Sequence, residues 1–143
     1  MVYFATASSR VYSLRTAAIA AAWQAYAPYS GLFVGAALRS TRGAVYRGCN
    51  VENGALPIGG CAERAAIAAA VLAEGSAFEL SAICIAAFSQ AGIALPVSPC
   101  GACRQALVEC GTQARVEFLT PDGSWIQVAA AELLPYRFVL PRV

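Results

Sequence analysis

The chain contains no histidine, and its ten basic residues are all arginines. The first absence removes imidazole from any metal site, so a metal here must be held by thiolates or carboxylates. The arginines are scattered without a cluster, and the formal net charge is only +2. A nucleic-acid surface usually shows a basic stripe, and base stacking needs an aromatic platform. Neither is visible, so no polynucleotide partner is expected. Charged residues make up 13% of the 143 positions against 59% apolar, a low share for a chain that stands alone in water. Long apolar runs are missing too. The charge-free stretch from Thr16 to Leu38 is broken by Gln24, Pro28, Ser30 and Gly31, which argues against a membrane span. The apolar excess points instead to subunit interfaces. Met1 to Arg10 lack the basic start and apolar core of a secretion signal. A reducing, cytoplasmic setting is therefore expected, where cysteine pairs more often serve a metal or catalysis than disulfides.

Against this background the chain carries six cysteines. Three fall in two short motifs, Cys61-Ala62-Glu63 and Pro99-Cys100-Gly101-Ala102-Cys103. Three thiolates can hold a zinc ion and leave its fourth position open for water, whereas closed structural sites use four protein ligands. A carboxylate two residues from the first thiol can move protons to and from that water. The pattern Cys-x-Glu…Pro-Cys-x-x-Cys resembles the signature of zinc-dependent deaminases. Competing readings are a disulfide framework, a redox Cys-x-x-Cys pair, and a closed site that takes Cys49, Cys84 or Cys110 as a fourth ligand. Cys49 and Cys84 sit in apolar, strand-like runs and Cys110 near a helix end, where small buried thiols are ordinary.

The periodicity predicts one α/β domain over residues 1–143. Helices are expected over Tyr12–Tyr26, Cys61–Ala73, Cys100–Cys110 and Ala130–Leu134. Strands are expected over Leu32–Leu38, Ala44–Cys49, Ser81–Phe88, Ala114–Leu119 and Trp125–Val128, the first two joined by a turn at Thr41-Arg42-Gly43. Both cysteine motifs then fall at helix starts. There, free N–H groups and the positive end of the helix dipole ease thiol ionisation and draw electron density from sulfur. Cys100 and Cys103, three apart on a helix, share one face. Arg64 and Arg104 directly follow Glu63 and Cys103, and either can hydrogen-bond a thiolate.

Further blocks carry a specific resemblance. They are Tyr26-Ala27-Pro28-Tyr29-Ser30, Val34-Gly35-Ala36-Ala37-Leu38, Gly48-Cys49-Asn50-Val51-Glu52-Asn53, Cys61-Ala62-Glu63-Arg64-Ala65-Ala66, Ser98 to Gln105, and Glu132-Leu133-Leu134-Pro135. With their order and gaps, the chain resembles the small homotetrameric cytidine deaminases, whose three zinc ligands are all cysteines. The resemblance implies a three-layer α/β/α sandwich around a mixed five-stranded sheet, one zinc ion per chain, and hydrolysis of cytidine or 2′-deoxycytidine to the uridine and ammonia. It implies Cys61, Cys100 and Cys103 as ligands and Glu63 as the group that carries protons. It further implies that the Ala62 N–H and Ser98 carbonyl read the base edge. Asn50 and Glu52 would hold the ribose 3′-hydroxyl, and Phe138 would lie near the base of a neighbouring subunit. On their own, Asn50 and Glu52 read as turn formers and Phe138 as an apolar anchor for the tail.

The chain also departs from the family pattern. Leu32 stands where a Phe is usual, Leu56 where a Tyr is usual, and Pro57 and Gly59-Gly60 precede Cys61. These changes fall among substrate contacts. They keep open the same chemistry on a modified cytosine nucleoside or another aminated heterocycle, as in blasticidin-S deaminase. A non-catalytic zinc-stabilised domain is the remaining class, and Glu63 beside an open site argues against it.

Overall fold

The computed structural model describes residues 7–142, with side chains from Leu14 onward. Helix α1 (Ala7–Ala22) is followed by strands β1 (Leu32–Ser40) and β2 (Val45–Cys49). A loop with a 3-10 turn at Leu56–Ile58 leads to α2 (Ala62–Glu74). Then come β3 (Leu80–Ser89), β4 (Ala94–Leu95), α3 (Gly101–Cys110), β5 (Arg115–Leu119), β6 (Trp125–Ala129) and α4 (Ala130–Leu133). The strand order is β2-β1-β3-β5-β6, with β4 added to the end of β3. β3 and β5 run parallel and the other pairs antiparallel. Helix α3 lies in the crossover between the two parallel strands, as parallel pairing requires.

Side chains alternate across the strands, so the sheet builds one apolar cluster on each face. Val34, Ala36 and Leu38 of β1 join Ile83 and Ile85 of β3 and Val116 of β5, beneath Ala62, Ala66 and Ala70 of α2 and Leu107 of α3. On the opposite face Ala37, Ala82, Cys84 and Ala86 pack against Leu14 and Ala18 of α1. The same face buries Glu117, which pairs with Arg15, and the Arg15 guanidinium lies 4.4 Å from the centre of the Trp125 ring.

Two glycines let helices press onto the sheet. A Cβ at Gly35 would lie 2.0 Å from the Ala18 carbonyl oxygen in α1, and one at Gly48 would lie 2.4 Å from both Ala62 O and Ala66 N in α2. The second approach sets the position of the first turn of α2, directly after Cys61.

The sheet has six strands where five were expected, because Ala94 and Leu95 pair with Phe88 and Ala87. Two residues are too few to leave a periodic signal. Helix α1 stops at Ala22, short of the expected Tyr26. The cause is tertiary. The Tyr26 N–H donates to Asn50 O and Tyr26 O accepts from the Glu52 N–H, which draws this segment out of the helix and alongside residues 50–52.

Gly48→Ala should destabilise the protein, since the added methyl forces α2 off β2, and overpacking typically costs about 1–3 kcal/mol. Thermal or urea unfolding checks this, and an unchanged midpoint would contradict the close approach.

Candidate active site

Cys61 and Cys100 are the N-cap residues of α2 and α3, both in extended conformation (φ −80°, ψ 151° and φ −67°, ψ 167°). Cys103 lies in the first turn of α3 and is fully buried. The two helices pack on the same sheet face and bring their starts together. The three sulfurs lie within 4.8 Å of one another, with Cys61 Sγ and Cys100 Sγ 3.9 Å apart. A tetrahedral zinc with Zn–S bonds of about 2.3 Å needs sulfurs about 3.8 Å apart, so the cluster is at the scale of a zinc site. Among the described residues this is the one group of three or more Cys, Asp or Glu side chains that can converge on an ion.

The electrostatics point the same way. Burial pushes the Cys61 and Cys103 thiols up from their ordinary values; Glu63 and both other sulfurs add to the rise at Cys103, whereas at Cys61 the Cys103 thiol opposes it and Cys100 and Glu63 add to it. Burial also works to raise Cys100. The Cys103 N–H and the two other thiols nonetheless bring it below its ordinary value. Three thiolates so close need a compensating cation. The Arg64 guanidinium interacts favourably with the Cys61 sulfur, but one positive charge does not balance three negative ones. A divalent ion fits the donor set.

Glu63, in the first turn of α2, is 4% exposed. Burial raises its pKa above the usual carboxylate range, opposed by its own backbone N–H and the Cys103 thiol. It lines a cavity of about 520 Å³, with Cys61, Ala62, Ser98 and Cys100 on the same wall. Ala62 opens α2, where a backbone N–H has no partner within the helix.

Asn50 and Glu52 border the same cavity. They arrive there because Val51 exchanges both backbone hydrogen bonds with Gly60, 3.0 and 2.8 Å, closing the intervening loop beside Cys61. Their side chains also serve the scaffold. Asn50 Oδ1 accepts from the Val34 N–H and Nδ2 donates to Leu32 O, each at 2.8 Å. Glu52 accepts from the Tyr29 N–H at 2.8 Å, the Ser30 N–H at 3.2 Å and the Ser30 hydroxyl. The Ser30 bond first, then these N–H groups, hold its carboxyl below the ordinary range against the opposing effect of partial burial. One Nδ2–H of Asn50 and spare lone pairs on Glu52 remain for a ligand.

One expectation changes at atomic level. Arg104 does not follow Arg64 onto a sulfur. Its Nε donates to Pro99 O at 2.8 Å, one Nη to Leu133 O at 3.1 Å and the other to Ser98 Oγ at 3.3 Å. It braces the loop before Cys100. Phe138 does not line the cavity of its own chain, and it is 64% exposed. Sequence reasoning missed Ser30 as the brace of Glu52, and Gln105, whose amide bonds the Phe138 backbone. The Pro28-Tyr29-Ser30 turn was the available signal for the first. Leu32 and Leu56 both line the cavity and leave that side apolar.

An α/β/α fold with three converging thiols, two helix starts and a buried carboxylate defines a zinc hydrolase site. Residues 9–120 match the family model described as the cytidine and deoxycytidylate deaminase zinc-binding region. A cytidine deaminase of Sporosarcina psychrophila is 41% identical over 116 residues, covering 80% of this chain and 81% of that protein. One from Halalkalibacterium halodurans is 40% identical over 122 residues, covering 85% and 88%. The crystal structure of cytidine deaminase from Burkholderia pseudomallei superposes with a TM-score of 0.78 at 40% identity, covering 89% of this chain and 98% of that one. The chain belongs to the cytidine and deoxycytidylate deaminase family.

Cys100→Ala should bring zinc well below one ion per folded chain, since two thiols are left of three. Metal analysis of purified protein checks this, and full retention would contradict the assignment.

Proposed function

We propose that the protein hydrolyses cytidine and 2′-deoxycytidine to the corresponding uridines and ammonia, as one domain over residues 1–143. The observation that carries this reading is the buried Glu63 carboxylate beside three converging thiols at the wall of a nucleoside-sized cavity. Cys61, Cys100 and Cys103 hold one zinc ion. Zinc supplies Lewis-acid activation of water near neutral pH.

The chain's own residues do the rest. Glu63 takes both protons of the attacking water in turn, passing one to the ring N3 and the other to the exocyclic amine, which leaves as ammonia as the C4–N bond breaks. The water oxygen ends as the C4 carbonyl. A carboxyl with a raised pKa suits both directions of transfer. The Ala62 N–H and the Ser98 carbonyl meet the base edge, and Arg104 holds the Ser98–Pro99 segment in place. The free Nδ2–H of Asn50 and a lone pair of Glu52 meet the ribose 3′-hydroxyl. Arg64 donates to Cys61 and moderates its charge. The relatives named above are called cytidine deaminases, which favours cytidine over a modified cytosine nucleoside.

The active form in this reading is a homotetramer, in which Phe138 of one subunit contacts the base bound by another. Its exposure, and that of Leu56, Ile58 and Leu140, is consistent with burial between copies. No described helix is long and apolar enough to cross a membrane, which is consistent with a cytoplasmic protein acting on free nucleosides.

Glu63→Gln should keep zinc and fold while losing at least about 10²-fold in kcat. Near wild-type turnover in a zinc-loaded variant would reject the proton role. Light scattering at micromolar concentration should give four times the chain mass, and a monomer mass would remove the trans contact of Phe138.

A further inference from the structure

Beyond α4 the described residues form no helix or strand, and Pro135 to Arg142 are all exposed. Among the described residues, the hydrogen bonds that hold this tail both run to one side chain. Gln105 Nε2 donates to Phe138 O and Gln105 Oε1 accepts from the Phe138 N–H, each at 3.0 Å. A primary amide facing a backbone amide in this way reproduces one rung of a β-ladder. It fixes both the position and the direction of the chain at that point. Gln105 is half-buried on α3, two residues after Cys103. The preceding residue, Arg104, donates to Leu133 O and so ties down the chain where the tail begins. Successive residues of the helix that Cys100 caps and Cys103 occupies thus hold the start and the middle of the tail.

From this geometry we infer that Gln105 is a positioning residue for substrate binding: its amide clamps the Phe138 backbone to α3 and so sets where the Phe138 ring stands. The inference rests on the proposed contact between that ring and the base in a neighbouring subunit. Without the clamp, an exposed segment of eight residues (135–142) with no secondary structure must be ordered each time substrate binds, and ordering opposes binding. The effect belongs in KM, because neither Gln105 nor the tail touches the group that moves protons. The clamp also makes the metal-bearing helix and the substrate-contacting tail one rigid unit, so a ring at one site is referenced to the thiol cluster of the subunit that donates it.

The test compares Gln105→Met, Gln105→Glu, Phe138→Ala and the double variant Gln105→Met/Phe138→Ala, all as zinc-loaded full chains. Met keeps the length and volume of Gln while removing donor and acceptor. Glu keeps the acceptor for the Phe138 N–H and loses the donor. Four quantities are read: zinc content, kcat, KM for cytidine, and the rate of trypsin cleavage after Arg137. Gln105→Met should keep zinc and kcat, raise KM by about 2- to 10-fold, the range of one net hydrogen bond, and speed cleavage at Arg137. Gln105→Glu should fall between it and the wild type. Phe138→Ala should raise KM at least as far, and the double variant should match Phe138→Ala, since two residues acting through one contact are not additive.

An unchanged KM in Gln105→Met with a raised KM in Phe138→Ala overturns the clamp and leaves the ring's role standing. A raised KM in Gln105→Met with none in Phe138→Ala, or an additive double variant, shows Gln105 acting by another route and also overturns it. Unchanged KM in both overturns the clamp and the ring contact together. Should Gln105→Met lose zinc, Gln105→Glu decides, and zinc loss there as well assigns Gln105 to the support of Cys103 and overturns the inference.

Discussion

Three sulfur atoms within 4.8 Å of one another cannot all carry charge unless something positive stands among them. That constraint organises the molecule. It explains why both thiol motifs open helices, where backbone N–H groups and the helix dipole favour negative charge. It also accounts for the favourable interaction of Arg64 with Cys61. The sheet supplies the remaining precision. Gly48 lets α2 rest on β2 with no side chain between them, and α3 descends onto the same face through Leu107 and Val108. A small shift of either helix would separate the sulfurs.

Around this centre, polar groups do two tasks at once. Asn50 stitches its loop to β1 and Glu52 stitches the same loop to Tyr29 and Ser30. Each lines the cavity and keeps hydrogen-bonding capacity beyond these bonds. A side chain already fixed by two or three bonds loses little freedom when a ligand takes the last one, so binding is pre-organised. Arg104 repeats the arrangement on the other side. It holds the Ser98–Pro99 segment and the end of α4 at once, and so links the loop before Cys100 to the root of the tail.

The chemistry was the most legible part of the sequence. With no histidine in the chain, the spacing of Cys61, Glu63, Cys100 and Cys103 left few alternatives, and local helix starts sufficed to place them. The strands were legible because short apolar runs bounded by turn residues are a strong local signal, as in β1. What escaped depends on contacts distant in sequence. Helix α1 ends at Ala22 because residues 50–52 capture Tyr26, and β4 exists because β3 offers it a partner. The same holds for side chains. Arg104 was placed near a thiolate from adjacency alone, yet the carbonyls of Pro99 and Leu133 attract it more strongly, a choice fixed only once α4 has packed. Gln105 gave no signal at all, since its partner lies on an irregular tail.

X-ray absorption at the zinc edge of the purified protein tests the central claim most directly. The account predicts three sulfur neighbours at about 2.3 Å and one lighter neighbour at about 2.0 Å, an open site with room for water. Four sulfurs, drawing in Cys49, Cys84 or Cys110, would make the zinc structural and leave Glu63 without a partner for hydrolysis. That result would contradict the account.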